Sequence, residues 1–433
     1  MRVLPRTHKR CPSEIGSIIS RKEATMSPVP CAHISPSLCE LPPCVSPNYY
    51  PTLNRTKRYP TSYYLIMTKA QTIEERNRLS FFDKIRMLLV AIPAPLVFIW
   101  TLLKAPFHPY GRAKSWKRIL ADRALLRIIS CMNRRQQRVV FGTTRGLYDH
   151  YIKNKGLPRV VEDIGAGANL LWIGPRRTDR VMLYLHGGAF LLAAPAGAPL
   201  FWRFVQESLE KRGKPTGLAM LEYTLIPDAP YPTQLKQTIL AIQHILDSGV
   251  KPENIQLVGD SAGGVLIHGV LSHLLHPLEG LPKLELSSPL GGGYMLSIWA
   301  KMVDERGSLY ANDGNGDFLD GRSLNYWGRK VLDGVPASVI PYLEPNNAPE
   351  GWLSGADRYM KRLLISAGGV EALRDEIIKY AAVVEKYHKD VTFIVQENGA
   401  HNDPYTDFLV GEAEKDLGNL TPIVIEWIEK SFP

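Results

Sequence analysis

The sequence predicts an α/β protein: a mostly parallel central sheet, helices on both faces, and a mainly helical cap. Three observations carry that expectation. From about residue 110 onward, short apolar runs alternate with stretches of helical period, the pattern of strands joined by crossover helices. The chain has 433 residues, 45% hydrophobic and 22% charged, enough to bury a large core. Over residues 288–360 the alternation stops, with Gly291-Gly292-Gly293 followed by Trp299, Tyr310, Tyr326 and Trp327, which reads as an inserted cap.

Residues 1–66 form a Pro-, Ser- and Cys-rich extension, expected to be disordered because breakers such as Leu41-Pro42-Pro43 and Ser46-Pro47 interrupt any period. Four of the five cysteines (Cys11, Cys31, Cys39, Cys44) lie there and only Cys131 lies beyond, so neither a disulfide framework nor a CxxC metal site is legible. No secretory signal is expected at the front of the chain, and Met67 offers an alternative start.

Residues 67–109 hold an uncharged apolar run, Met87–Leu103, between Lys84 and Arg86 on one side and Lys104 on the other. As a helix it is about 26 Å long, just short of the ~30 Å hydrocarbon layer. Pro93 and Pro95 suit a membrane helix better than a soluble core helix, and Trp100 suits an interface. A single anchor or a monotopic hairpin is expected, with a buried or substrate-covering helix as the alternative. The side of the membrane stays open. Arg112, Lys114, Lys117, Arg118, Arg123 and Arg127 favour a cytosolic body, whereas the acceptor tripeptides at Asn54 and Asn419 permit a lumenal one. The location expected is a membrane, that of the endoplasmic reticulum.

Charge supports the same division. Residues 1–160 carry 28 Lys and Arg against 8 Asp and Glu, and residues 161–433 carry 24 against 34. The net +10 therefore belongs to the front of the chain, which fits anionic headgroups better than a nucleic-acid face on a folded domain.

In residues 110–433, strands are expected at Val181–Leu185, Gly217–Tyr223, Ile255–Val258, Leu284–Ser287, Leu363–Ala367 and Val391–Val395. Helices are expected at Pro199–Lys211, Pro232–Asp247, Gly263–Leu275, Leu373–Lys386 and Asn419–Lys430. Between one strand and one helix stands Gly259-Asp260-Ser261-Ala262-Gly263-Gly264. A serine hydroxyl becomes a nucleophile only where a tight turn presents it and a base takes its proton, and small residues at 259 and 263 permit such a turn. Asp260 is expected to anchor the turn. After the strand at 181–185 comes His186-Gly187-Gly188-Ala189-Phe190, whose glycines let backbone N–H groups converge on a developing oxyanion. The N–H groups expected there are those of Gly187, Gly188 and Ala262.

These motifs, with Tyr223-Thr-Leu-Ile-Pro227 running to Tyr231-Pro232 between them, resemble the hormone-sensitive-lipase-like (alpha/beta hydrolase fold-3) branch of the α/β-hydrolases, and within it the fungal steryl acetyl hydrolases. The resemblance covers residues 110–430. It implies serine carboxylesterase chemistry, a cap made of N-terminal helices plus an insertion, and a triad in the chain order serine, acid, histidine. His401 is the expected base, on the loop Asn398-Gly-Ala-His401 after the last strand, whereas His268 reads as a helix-face residue and His186 as structuring the oxyanion loop. The family's Asp-Pro-Leu-x-Asp run aligns with Glu371-Ala-Leu-Arg-Asp375, so Glu371 is the implied acid, with Asp375 the alternative.

No metal and no cofactor are expected. Asn312-Asp-Gly-Asn-Gly-Asp317 lacks the bidentate glutamate of a calcium loop and reads as a Gly-rich surface loop. The expected substrate is a small hydrophobic acyl ester such as a sterol acetate or a fungal secondary metabolite. A biosynthetic hydrolase or cyclase acting on a polyketide-type intermediate, and a non-catalytic ligand receptor on the same fold, are the alternatives. Neither a nucleic-acid partner nor an oligomeric state is implied.

Overall fold

The computed structural model describes residues 78–311 and 316–433. The N-terminal extension, its four cysteines, Met67 and the Asn54 tripeptide lie outside the described residues, as does most of the Gly-rich stretch before Gly316.

Helix α1 (Phe81–Ala91) starts at a reciprocal cap: the Asp83 amide donates to the Ser80 hydroxyl, and the Ser80 amide donates to the Asp83 carboxylate. The chain turns at Ile92–Pro93, and α2 (Ala94–Lys104) begins with Pro95 in its first turn, where a missing N–H costs nothing. None of the residues of α1 or α2 is buried, which excludes the core-helix alternative. The short α3 (Pro109–Ala113), α4 (Trp116–Cys131), α5 (Arg134–Phe141) and α6 (Thr144–Lys155) follow, the last three capped by Ser115, Asn133 and Thr143.

The sheet is built from β1 (Val160–Asp163), β2 (Asn169–Trp172), β3 (Val181–Leu185), β4 (Gly217–Glu222), β5 (Ile255–Asp260), β6 (Gly292–Leu296), β7 (Leu363–Gly368) and β8 (Val391–Gln396). Their spatial order is β1-β2-β4-β3-β5-β6-β7-β8, with the first two pairings antiparallel and the rest parallel. Between them run α7 (Ala198–Lys211), α8 (Thr233–Asp247), α9 (Ala262–Leu275), α10 (Ser308–Ala311), α11 (Gly321–Leu332), α12 (Ile340–Leu343) and α13 (Arg374–Tyr387). After β8 come α14 (Asp403–Leu409) and α15 (Leu420–Ser431). Because β3 to β7 are covered on both faces, they read as continuous apolar runs rather than alternating ones. Two apolar layers result. One holds Leu183, Leu257 and Ile365 with α8, α9 and α13, and the other holds Tyr184, Val258 and Leu364 with α7 and α15.

Three strands depart from the sequence expectation. β1 and β2 have four residues each, too short for a period to register. The segment Leu284–Ser287 is not a strand; the ladder position beside β5 is taken by β6, within the stretch 288–360 expected to be wholly cap. Its glycines, which argue for a turn locally, answer to packing: a Cβ on Gly293 would stand 2.5 Å from the Met360 sulfur. The helices of the insertion therefore fall between β6 and β7, as α10 to α12.

The N-terminal helices are fastened to the catalytic end of the sheet by buried charge. Arg118 of α4 lies fully buried, 2.9 Å from Asp122 and 2.7 Å from Asp403, and also pairs with Asp407, while Lys114 stands 2.7 Å from Asp403. Two of the cations counted from sequence toward a membrane-facing charge are thus internal.

Candidate active site

β5 ends at Asp260, α9 begins at Ala262, and Ser261 between them has φ 51° and ψ −115°. That left-handed backbone costs a residue with a Cβ about 1–3 kcal/mol, a strain found where a side chain must be presented. The surroundings impose it. The Ser261 amide donates to the Leu296 carbonyl at 2.9 Å, the Trp299 amide donates to the Ser261 carbonyl at 3.2 Å, and a Cβ on Gly263 would lie 1.8 Å from the Leu185 carbonyl oxygen. Helix and strand approach so closely that only glycine fits at 263, and Ser261 is left on the wall of a cavity.

The loop after β3 turns through three successive left-handed residues, Gly188 (φ 98°), Ala189 (φ 55°) and Phe190 (φ 59°). Gly188 and Ala189 line the same cavity as Ser261. Gly187 does not: its N–H donates to Asp260 Oδ1 at 3.0 Å, inside the protein. The expectation that Gly187 contributes to an oxyanion site is corrected accordingly, since an amide spent on a buried carboxylate has no hydrogen left for a ligand. His186 lies behind the loop, its ring stacked on Tyr223 at 4.2 Å and its Nδ1 2.6 Å from the Gly187 carbonyl. Burial pushes that imidazole down to about 4, so it is neutral and structural.

Asp260 joins three elements. Oδ1 accepts from the Tyr184 hydroxyl at 2.7 Å and from the Gly187 amide, and Oδ2 accepts from the Asn402 side-chain Nδ2 at 2.8 Å. Burial pushes its carboxyl up to about 6 against those bonds and the pull of His401. Elbow, glycine loop and the loop after β8 are thereby held in one register.

His401, on that last loop, points Nδ1 at Glu371 Oε1, 2.6 Å away, and lines the cavity with Ser261. Glu371 Oε2 accepts from Ser297 Oγ at 3.0 Å and from the Gly368 amide at 2.7 Å, and Ser297 Oγ accepts in turn from the Asn402 amide at 3.1 Å. Burial alone would lower the imidazole's pKa. The hydrogen bond and charge of Glu371, with the charges of Asp317 and Asp260, outweigh it and hold His401 above its usual value. Asp375, the alternative acid, sits in the first turn of α13, where it accepts from the Ser308 amide at 2.8 Å and pairs with Arg374 at 2.9 Å. His268 is buried in α9 between the Tyr380 hydroxyl (3.1 Å) and the Pro341 carbonyl (2.9 Å), away from Ser261.

The cavity encloses about 140 Å³. Its walls are mostly apolar: Leu125 and Ile129 of α4, and Phe318, Leu319, Leu324 and Trp327 of the insertion. Asp317, read from sequence as part of a surface loop, is buried 3.1 Å from the His401 amide. Its burial had no local signal, because the residues that cover it come from other segments. Among the described residues no group of side chains has the makeup of a metal site.

A serine on a strained strand-to-helix turn and a histidine backed by a carboxylate, on an eight-stranded sheet of this order, define a hydrolase. The protein family described as alpha/beta hydrolase fold matches residues 182–403, and the chain belongs to that family. An acetyl-hydrolase of Streptomyces hygroscopicus is 29% identical over 225 residues, 51% of this chain and 68% of that one. Esterase LipU of Mycobacterium tuberculosis is 34% identical over 45% of this chain and 61% of its own length. Human hormone-sensitive lipase is 30% identical over 25% of this chain and 10% of that one. Among solved structures, an esterase from the bacterial hormone-sensitive lipase family superposes with a TM-score of 0.57 at 24% identity, covering 74% of this chain and 99% of that one. The chain is thus a carboxylic ester hydrolase of the α/β-hydrolase fold, similar to the hormone-sensitive-lipase group.

Proposed function

We propose that this hydrolase cleaves an acetyl or other short acyl ester of a hydrophobic alcohol, a sterol acetate or a fungal metabolite, through a Ser261–His401–Glu371 triad. The observation that carries the reading is the Glu371–His401 pair opening onto the same apolar cavity as Ser261. Ser261 Oγ attacks the ester carbonyl while His401 Nε2 takes its proton, and the imidazolium returns that proton to the departing alkoxide. Water then repeats the sequence on the acyl-enzyme. Glu371 holds the Nδ1–H tautomer and stabilises the cation. For the oxyanion we assign the amides of Gly188 and Ala189, two residues that line the cavity, together with Ala262, whose N–H is among those a first helical turn leaves without an intrahelical acceptor. The cap in this reading is α4, α5 and the insertion after β6.

A fluorophosphonate probe tests this directly. It is expected to label the wild type at Ser261 and to abolish turnover of both p-nitrophenyl acetate and a steryl acetate. Labelling elsewhere, or turnover that survives it, overturns the assignment. Formation of a cyclised product instead of an acid and an alcohol would place the chain among biosynthetic cyclases.

The same reading puts the enzyme at a membrane, of the endoplasmic reticulum. Residues 81–107 are long and apolar enough to cross a bilayer by length and composition, and none of them is buried. Two observations favour a kinked helix lying in the membrane plane over a span. The outer side of α1 and α2 exposes Leu88, Leu89, Ile92, Leu96, Ile99 and Trp100, each by more than half. The inner side is bonded to the body: Arg86 Nε donates to the Cys131 carbonyl at 3.0 Å, and Arg127 Nε donates to the Val90 carbonyl at 2.8 Å. A span would draw those guanidinium groups into hydrocarbon, whereas an in-plane helix leaves them at the headgroups. Replacing Leu89, Leu96 and Ile99 with Asp is expected to lower binding to anionic phospholipid vesicles about 10-fold or more in a flotation assay, with soluble-ester turnover unchanged. Undiminished flotation would remove this helix from the interface.

A further inference from the structure

Asp317 enters the site from the insertion between β6 and β7, a different part of the chain from either loop bearing the acid or the base. Both of its oxygens are engaged. Oδ2 accepts from the Ala372 amide at 2.7 Å, next to Glu371, and Oδ1 accepts from the His401 amide at 3.1 Å and from the Phe318 amide at 2.8 Å. Apart from Asp317, the same two loops are joined by backbone bonds, Gly369 to Gln396 at 2.8 Å and Val370 to Gly399 at 3.0 Å, and by the contact of Glu371 with His401. The neighbouring Phe318 ring packs edge-on against the His401 ring, with centroids 5.7 Å apart, and lines the cavity with Leu319.

From this geometry we infer that Asp317 is a positioning residue: one carboxyl group from the cap clamps the Glu371 loop to the His401 loop and, when ionised, places a second negative charge behind the imidazole. The inference rests on the triad reading above. The titratable groups facing His401 are Glu371, Asp317 and Asp260. On the far side of Asp317, a second cavity beneath α2 is lined by Lys104, His108, Asp122 and Arg123. Burial pushes the Asp317 carboxyl up to about 7, the Glu371 charge adds to that rise, and His401 with the two loop amides opposes it. A carboxylate there favours the protonated imidazole and so raises the pH at which His401 becomes a free base.

An amide in its place has one oxygen for two loops and turns an NH₂ group toward an N–H donor. Asp317→Asn is therefore expected to lower kcat about 10- to 100-fold, the range a slight misplacement of catalytic groups produces, with KM changed less than about threefold. With the negative charge gone, the acid limb of kcat/KM is expected to move to lower pH by about one unit. Asp317→Ser, which keeps an oxygen acceptor but no charge, carries the same limb test if the asparagine variant does not fold. A wild-type limb and kcat in a folded variant overturn the inference, and so does a fall in kcat with the limb unmoved, which marks a merely structural role. Fluorophosphonate labelling of the wild type separates the two failures: a labelled Ser261 with indifferent Asp317 variants removes the clamp alone, and an unlabelled Ser261 removes the triad reading.

Discussion

Ser261→Ala is expected to lower ester turnover about 10⁶-fold, to the level that substrate binding and oxyanion donors sustain without a nucleophile. The variant keeps the fold, because Asp260, Gly187 and Asn402 hold the turn through groups that the serine hydroxyl does not touch. It keeps the strain as well, since alanine meets the same Cβ penalty at φ 51°. Ser261→Gly relieves that penalty, so it should be as inactive as the alanine variant yet about 1 kcal/mol more stable in thermal or denaturant unfolding. Stability opposed to activity at one position is what a turn strained for catalysis produces. Retained turnover in either variant, or a glycine variant less stable than the alanine one, would contradict the account.

Glu371→Gln carries the second large effect. The carboxylate accepts at both oxygens, from His401 Nδ1, Ser297 Oγ and the Gly368 amide. A carboxamide must turn its NH₂ group toward one of these donors. Whichever way it turns, either a buried amide loses its acceptor or the imidazole is driven to the tautomer that places its proton on Nε2, where it can no longer accept one from Ser261. A loss of about 10⁴-fold in kcat is expected. The residual activity carries a further signature. His401 must be neutral to act as a base, and in the wild type its pKa is held above the ordinary 6.5, chiefly by Glu371 working against burial. The wild-type rate therefore falls as pH drops through a value above 6.5. Without that carboxylate burial prevails, and the acid limb should shift downward. Glu371→Asp keeps the charge but shortens the reach, so its limb should stay near the wild-type position while kcat falls by a smaller factor, about 10- to 100-fold. Equal losses for Asp and Gln with no movement of either limb would point to another acid.

The site was legible where its chemistry is encoded in neighbouring residues. The turn at Ser261 is a property of small residues around one serine, between an apolar run and a helical one. His401 and Glu371 each follow a run that forms a strand, β8 or β7, and residues past the carboxyl ends of adjacent parallel strands lie near one another, here 2.6 Å apart. The choice of Glu371 over Asp375 came from a resemblance in spacing, and the structure sets the first at 2.6 Å from the imidazole and the second in a helix turn.

Other features depended on partners distant in the chain. Nothing near Gly187 announces that its amide is taken by Asp260, 73 positions away, while Gly188 and Ala189 turn toward the cavity. Arg118 counted as one more cation in a basic stretch until its salt bridges to Asp403 and Asp407 placed it in the interior. The glycines of β6 suggest a turn, and pairing with β5 and β7 makes them a strand, with no room for a Cβ beside Met360. Asp317 stands in a run of Gly, Asn and Asp that reads as solvent-facing, and it lies buried between the loops that bear Glu371 and His401.

The sequence by itself determined the alternation of strands and helices, the strained serine turn, and the apolar face near the front of the chain, because each follows from side-chain period or backbone sterics over a few residues. The tertiary structure decided which amides remain available, which charges are buried, and which carboxylates surround His401. Those depend on where each donor and acceptor finds its partner after distant segments pack, and a buried polar group takes whichever partner the fold brings within about 3 Å.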